Sequence, residues 1–152
     1  MTYITAAGVP SSPCIFCDAL TSGDDRRALV LRKRPLAFLI LNAFPYATGH
    51  LMAVPTRHVA RFEEVEAAEM AETMGLTQAA VRALQSLYTP DGFNLGMNLG
   101  RPAGAGVLGH LHLHVVPRWN GDTNFMPVVA QTKVIPEALD VTYDRLTAAL
   151  DV

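Results

Sequence analysis

The chain has 152 residues, half of them hydrophobic and 17% charged, which suits one domain with a true core and rules out a disordered polyelectrolyte. A formal net charge of −2 excludes a broad electrostatic grip on nucleic acid, so an anionic ligand must be met by local donors. No apolar run is long enough to span a bilayer. The opening "MTYITAAGVPSSPC" lacks the charged-then-apolar layout of a secretory leader, so a cytoplasmic protein is expected.

Residues 1–13 are small, polar and Pro-containing and read as a loose N-terminal arm, with the domain itself at 14–152. Cys14 and Cys17, the two cysteines of the chain, form "CIFC", a metal or redox pair in a reducing compartment. No strand precedes them and no helical pattern carries them, which disfavours a thioredoxin-type motif. "ALVLRKR" and "LAFLILN" read as strands separated at Pro35, and "HLMAVP" returns after the turn "AFPYATG", giving an antiparallel hairpin across residues 36–55.

From about Glu64 to Tyr88 the period changes, and Met70, Met74, Thr77, Val81, Leu84 and Tyr88 predict one buried face of a long helix. "TPDG" ends it. Two alternating strands follow. In "FNLGMNL", Phe93, Leu95, Met97 and Leu99 share one face and Asn94, Gly96 and Asn98 the other. A Gly-rich loop, "GRPAGAGVLG", leads to "HLHLHVV", and a last helix is predicted from Pro136 to about Leu150. The sum is an α+β class: a mostly antiparallel sheet, a long helix on one face, and a C-terminal helix.

In "HLHLHVV" the apolar Leu111, Leu113 and Val115 anchor the strand, while His110, His112 and His114 line a polar face about 6.5 Å apart. Three readings compete: a solvated His-rich face, a three-histidine metal site, and a nucleophilic imidazole with two helpers. The row fans out along one strand and does not converge on a tetrahedron, which counts against the second. Gly100, Gly104, Gly106 and Gly109 favour the third, since they let backbone N–H groups approach an anion.

These residues resemble the histidine triad (HIT) superfamily of nucleotide hydrolases and transferases, whose signature is His-x-His-x-His-x-x with apolar x. The likeness runs from "CIFC" through "LILNAFPYATGHLMAVPTRHVARFEEV" to "NLGRPAGAGVLGHLHLHVVPRWNGDTNFMPVVAQTKVIPEAL". It is greatest toward the bacterial diadenosine tetraphosphate phosphorylase branch. The resemblance implies a HIT-like fold and gives roles to the catalytic His112, His114 and His110. His112 would attack the α-phosphorus and form a nucleotidyl-histidine, its other ring nitrogen held by a backbone carbonyl. His114 would ease departure of the leaving group.

It further implies a ribose contact for Asn42 and a phosphate contact for Asn98. Taken as residues alone, Asn42 reads as a strand-end turn residue. Where many members carry Gln and then Ser or Thr, this chain has Ala105, Gly106 and Val107, so backbone N–H groups at Gly104, Ala105 and Gly106 must bind phosphate. This departure speaks against the mononucleotide-phosphoramidate hydrolases. Trp119 reads either as a core tryptophan or as a platform for adenine, and Arg118 either as a phosphate partner or as a solvated residue. Lys133 is a second candidate cation for phosphate.

In HIT relatives a structural zinc is held by residues that would here be Cys14, Cys17, His58 in "VPTRH" and His110; the alternatives are a metal-free thiol pair and a His58 that caps the next helix. The expected partners are an adenine nucleotide or dinucleoside polyphosphate, orthophosphate, and a second copy of the chain as a homodimer, with no nucleic acid, membrane or organic cofactor. The rival functions are dinucleoside polyphosphate or nucleoside phosphoramidate hydrolysis and, from another class, a non-catalytic nucleotide-binding sensor.

Overall fold

A computed structural model describes residues 14–122 and 137–150. The expected arm at 1–13, Lys133 and Pro136 lie outside the described residues. Five strands form one antiparallel sheet: β1 (Val30–Lys33), β2 (Ala37–Leu41), β3 (Leu51–Pro55), β4 (Gly92–Met97) and β5 (Leu113–Arg118), in the order β1-β2-β3-β5-β4. The helices are α1 (Ile15–Thr21), α2 (Ala67–Tyr88) and α3 (Leu139–Leu150). The α+β expectation holds.

The β2–β3 hairpin keeps an unbroken register from Ala37↔Pro55 to Leu41↔Leu51, and all ten of its residues are buried. Both faces of this hairpin are covered, which is why its sequence is continuously apolar and does not alternate. Toward α2 and α3 point Leu39, Leu41, Leu51, Ala53, Leu113 and Val115, packed with Leu76, Ala80, Leu84, Tyr143 and Leu146. Toward α1 point Phe38, Ile40, Met52 and Val54, packed with Cys14, Phe16 and Ala19. Gly49 opens β3 at φ +79°, and a Cβ there would stand 2.6 Å from the Leu84 side chain. That close approach of backbone to helix requires glycine.

Several expectations need correction. Helix α2 begins at Ala67, after a 3-10 turn at Phe62–Glu64, and buries Glu69, Thr73, Leu76, Thr77, Ala80, Ala83 and Leu84, whereas Met74 is 39% exposed. The buried stripe is thus turned by about one residue, ~100°, from the methionine stripe. Alanines and hydroxyl-paired threonines let the helix lie close to the sheet; Thr73 and Thr77 satisfy their hydroxyls on the carbonyls of Glu69 and Thr73, both at 2.8 Å.

The cysteine pair is carried by a helix after all, because Cys14 is the N-cap residue of α1. This helix covers the second face of the sheet, so the helices are not confined to one side. The last helix starts at Leu139, three residues beyond Pro136. In addition, β4 ends at Met97 and is an edge strand, with Leu95 49% and Leu99 53% exposed.

Candidate active site

The regular strand β5 begins at Leu113, so only His114 of the three spaced histidines lies on it; His110 and His112 precede it in irregular backbone. Of the three readings, the solvated His-rich face does not hold. His110 is 1% and His112 5% exposed, because α1 drops Phe16 between them, with ring centroids 5.5 Å from His110 and 5.1 Å from His112. A buried imidazole is held by hydrogen bonds to its ring nitrogens, and those partners fix each tautomer.

His112 Nδ1 faces the carbonyl of His110 at 2.9 Å. A carbonyl only accepts, so Nδ1 carries the proton and Nε2 presents a bare lone pair. His114 is set the other way. The Tyr46 N–H donates to His50 Nδ1 at 3.0 Å, so a neutral His50 holds its proton on Nε2, which lies 3.0 Å from His114 Nδ1. His114 Nδ1 therefore accepts, and its Nε2 carries a proton. Two neighbouring imidazoles, 5.0 Å apart and edge to face, thus offer opposite chemistry: an electron pair at His112 and a hydrogen-bond donor at His114. Burial, with His112 adding to it, pushes His114 down to about 4, and burial holds His112 below its ordinary value. Both rings are neutral at physiological pH.

His50 was not singled out from the sequence. It is fully buried at the start of the return strand, and Asn42 Nδ2 lies 3.4 Å from each of its ring nitrogens. The signal was parity, because His50 shares the even-numbered face of Met52 and Met52 pairs with His114. Asn42 itself closes the turn by accepting the Phe44 N–H at 2.9 Å. Tyr46 stacks 25° from the His114 plane and is 56% exposed, an aromatic surface at the mouth of the site.

Asn98 continues the β4 register from Gly96↔His114 toward His112, and its amide donates to the Gly104 carbonyl at 3.3 Å. The Gly-rich loop is less open than its composition suggests. The N–H groups of Gly104 and Ala105 are taken by the carbonyls of Arg101 and Gly100, at 3.0 and 3.3 Å. Of the three N–H groups expected to meet phosphate, that of Gly106 has no backbone partner among the described residues.

Arg118 and Trp119 are not brought to the histidines. Arg118 forks onto Asp122, at 2.5 and 2.8 Å, and reaches Asn94 at 2.7 Å. Trp119 donates its indole N–H to the Tyr88 carbonyl at 3.4 Å, where α2 ends. It follows His114 by five residues, about 16 Å along an extended strand. Trp119 is half-buried there and belongs to neither core cluster, and Arg118 is exposed.

Cys14, Cys17, His58 and His110 each turn one ligand atom to a common point, all within 4.8 Å of one another. The Sγ–Nδ1 separations are 3.3 Å (Cys14–His110), 3.3 Å (Cys17–His58) and 3.6 Å (Cys17–His110). A tetrahedral ion with sulfur at about 2.3 Å and nitrogen at about 2.05 Å places such atoms roughly 3.5 Å apart, so the set fits a zinc-sized ion. His110 is prepared for it, since Nε2–H donates to the Pro55 carbonyl at 2.8 Å and leaves Nδ1 bare toward the sulfurs. Burial and the neighbouring Cys14 push the Cys17 thiol up to about 11, a state that a bound cation reverses.

The model of the HIT domain matches residues 25–121. The chain is 46% identical over 115 residues to an AP-4-A phosphorylase of Mycobacterium tuberculosis, an alignment covering 76% of this chain and 59% of that protein. The chain therefore spans little more than half the length of that relative. It is 35% identical to an uncharacterized HIT-like protein of Methanocaldococcus jannaschii, over 72% of this chain and 81% of that one. Among solved structures, a zinc-bound histidine triad family protein from Mycobacterium smegmatis superposes with a TM-score of 0.72 at 28% identity, covering 91% of this chain and 94% of the other.

Proposed function

The chain belongs to the HIT domain family, and from that premise we propose that it is a nucleotidyl transferase that splits diadenosine tetraphosphate by phosphorolysis. One observation carries the reading: the opposed tautomers of His112 and His114, each enforced by a buried partner. His112 Nε2 attacks the α-phosphorus as the bond to the bridging oxygen breaks, and ATP departs. His114 Nε2–H donates to the oxygen that gains charge. The nucleotidyl-His112 keeps its Nδ1–H on the His110 carbonyl and so carries a positive charge beside the phosphates. An orthophosphate oxygen then attacks the same phosphorus, the P–N bond breaks, and ADP leaves with His112 neutral again.

Asn42 serves the ribose, and Asn98 with the Gly106 N–H serves the phosphate. The similarity to the AP-4-A phosphorylase supports the choice of substrate. The experiment that tests this is product analysis with the dinucleotide, with and without orthophosphate. ADP and ATP are expected; AMP and ATP at an unchanged rate would make the protein a hydrolase, and saturation without turnover would make it a sensor.

Cys14, Cys17, His58 and His110 would hold a structural zinc, a reading the zinc-bound relative supports. Its chemistry there is charge compensation of two thiolates and ordering of α1 against the sheet. Thiolates kept reduced suit the cytoplasm. The domain runs from Cys14 to the end of the chain, after an arm at 1–13. The exposed Leu95 on the β4 edge and Leu99 just beyond its end suit a homodimer, which light scattering of the purified chain tests.

A further inference from the structure

Glu69 is the one buried acid among the described residues, 4% exposed on the inner face of α2. Arg57 forks onto it with Nε and Nη2, both at 2.8 Å, and the same Nη2 reaches the Glu64 carbonyl at 2.8 Å. Glu69 also accepts the Glu66 N–H at 2.9 Å, closing a capping box at the head of α2. Capping explains an acid or amide at this position; it does not explain the two-pronged grip of Arg57, whose side chain stays 46% exposed and reaches in from the surface to compensate the one charge that is buried.

The location of Arg57 supplies a reason. Residues 55–59 connect β3 to the turn before α2, and this segment holds the two residues ahead of His112. The Pro55 carbonyl accepts His110 Nε2–H at 2.8 Å, the Val59 carbonyl accepts the Leu111 N–H at 2.7 Å, and His58 meets Cys17 at 3.3 Å. Arg57 lies at the middle of these three contacts and ties the segment to the longest helix.

We infer that the Arg57–Glu69 pair is a positioning device for the nucleophile: it locks segment 55–59 onto α2, and through that segment fixes His110, whose carbonyl orients the His112 ring. The planar fork sets direction as well as distance, which a lysine ammonium cannot do. The kinetic part of this inference rests on the role proposed for His112; the metal and ring-orientation parts do not.

Four proteins separate positioning from plain stabilisation, all as full chains purified with zinc: Glu69→Gln, Arg57→Lys, the double change Arg57→Met with Glu69→Leu, and Arg61→Gln as a control at the exposed Arg61–Glu63 pair. Gln at position 69 keeps the cap while removing the ion pair. Zinc transfer to a chelator should be about 10- to 100-fold faster in Glu69→Gln and Arg57→Lys. The 15N shifts of His112 should show loss of the single Nδ1–H tautomer, and kcat should fall about tenfold with KM within twofold.

The double variant leaves no unpaired carboxylate and should recover part of the melting temperature, the cap on the Glu66 N–H being lost, yet keep fast zinc release and the mixed tautomer. If it restores all four readouts, or if Glu69→Gln lowers only the melting temperature, the pair is structural and the inference fails. If zinc release and tautomer change while kcat does not, positioning stands and the nucleophile assignment falls.

Discussion

Odd-numbered residues of β2, β3 and β5 face α2 and α3, and even-numbered residues of the same strands face α1 and the histidines. Both faces are covered but they differ in what they bury. The odd face is hydrocarbon, stabilised by contact with Leu76, Leu84 and Leu146 and indifferent to hydrogen-bond direction. On the even face, between Phe16 and the sheet, His110 and His112 are buried, and each ring proton is assigned by one backbone carbonyl. Dryness without donors gives only stability. With fixed donors it sets protonation, because a buried imidazole has no water to exchange its tautomer.

The largest effect expected on the even face is at His112. His112→Ala should cut turnover by about four orders of magnitude while nucleotide affinity stays within several-fold, measured by initial rates and calorimetry. Near-normal activity would erase the distinction between the faces. Next is His50→Phe, which keeps ring volume and removes both nitrogens. It frees His114 to carry its proton on either nitrogen, and kcat should fall about 100-fold with KM little changed.

Metal removal sharpens the comparison further. Chelation should lower the melting temperature by roughly 10 °C or more, by calorimetry. It should also slow the reaction, because His110 belongs both to the metal cluster and to the hydrogen bond that holds His112. On the odd face, Leu146→Ala should cost about 2–5 kcal/mol in denaturant unfolding and leave kcat of the folded enzyme unchanged.

The smallest effect is that of pH. Burial holds His114 near 4, below the ordinary 6.5 of an unfolded histidine. Between those values the unfolded chain binds the proton and the folded one does not. Stability from this group is therefore intact above about pH 6.5 and should drain away as pH falls toward 4, followed as melting temperature against pH.

Much of this was legible because two periods were clean. The period-two row separated Leu111, Leu113 and Val115 from the histidines, and the Gly and Pro punctuation bounded the hairpin. Longer-range relations were not legible. Phe16 reaches the histidines across the sheet, His50 meets His114 only through the β3–β5 register, and Glu69 is buried because Arg57 comes to it. In each case one partner lies far along the chain, so no local pattern marks the other. Trp119 and Arg118 illustrate the converse: five and four residues from His114 in sequence, they meet Tyr88 and Asp122 at the far end of β5.

The central claim is that a nucleotidyl-His112 is resolved by phosphate. Diadenosine tetraphosphate turned over with 18O-labelled orthophosphate tests it most directly, with the label located by phosphorus NMR or mass spectrometry. The account predicts label in the β-phosphate of ADP, unlabelled ATP as the other product, and a rate that rises with orthophosphate and disappears in His112→Ala. Unlabelled AMP and ATP, formed at a rate indifferent to orthophosphate, would contradict it.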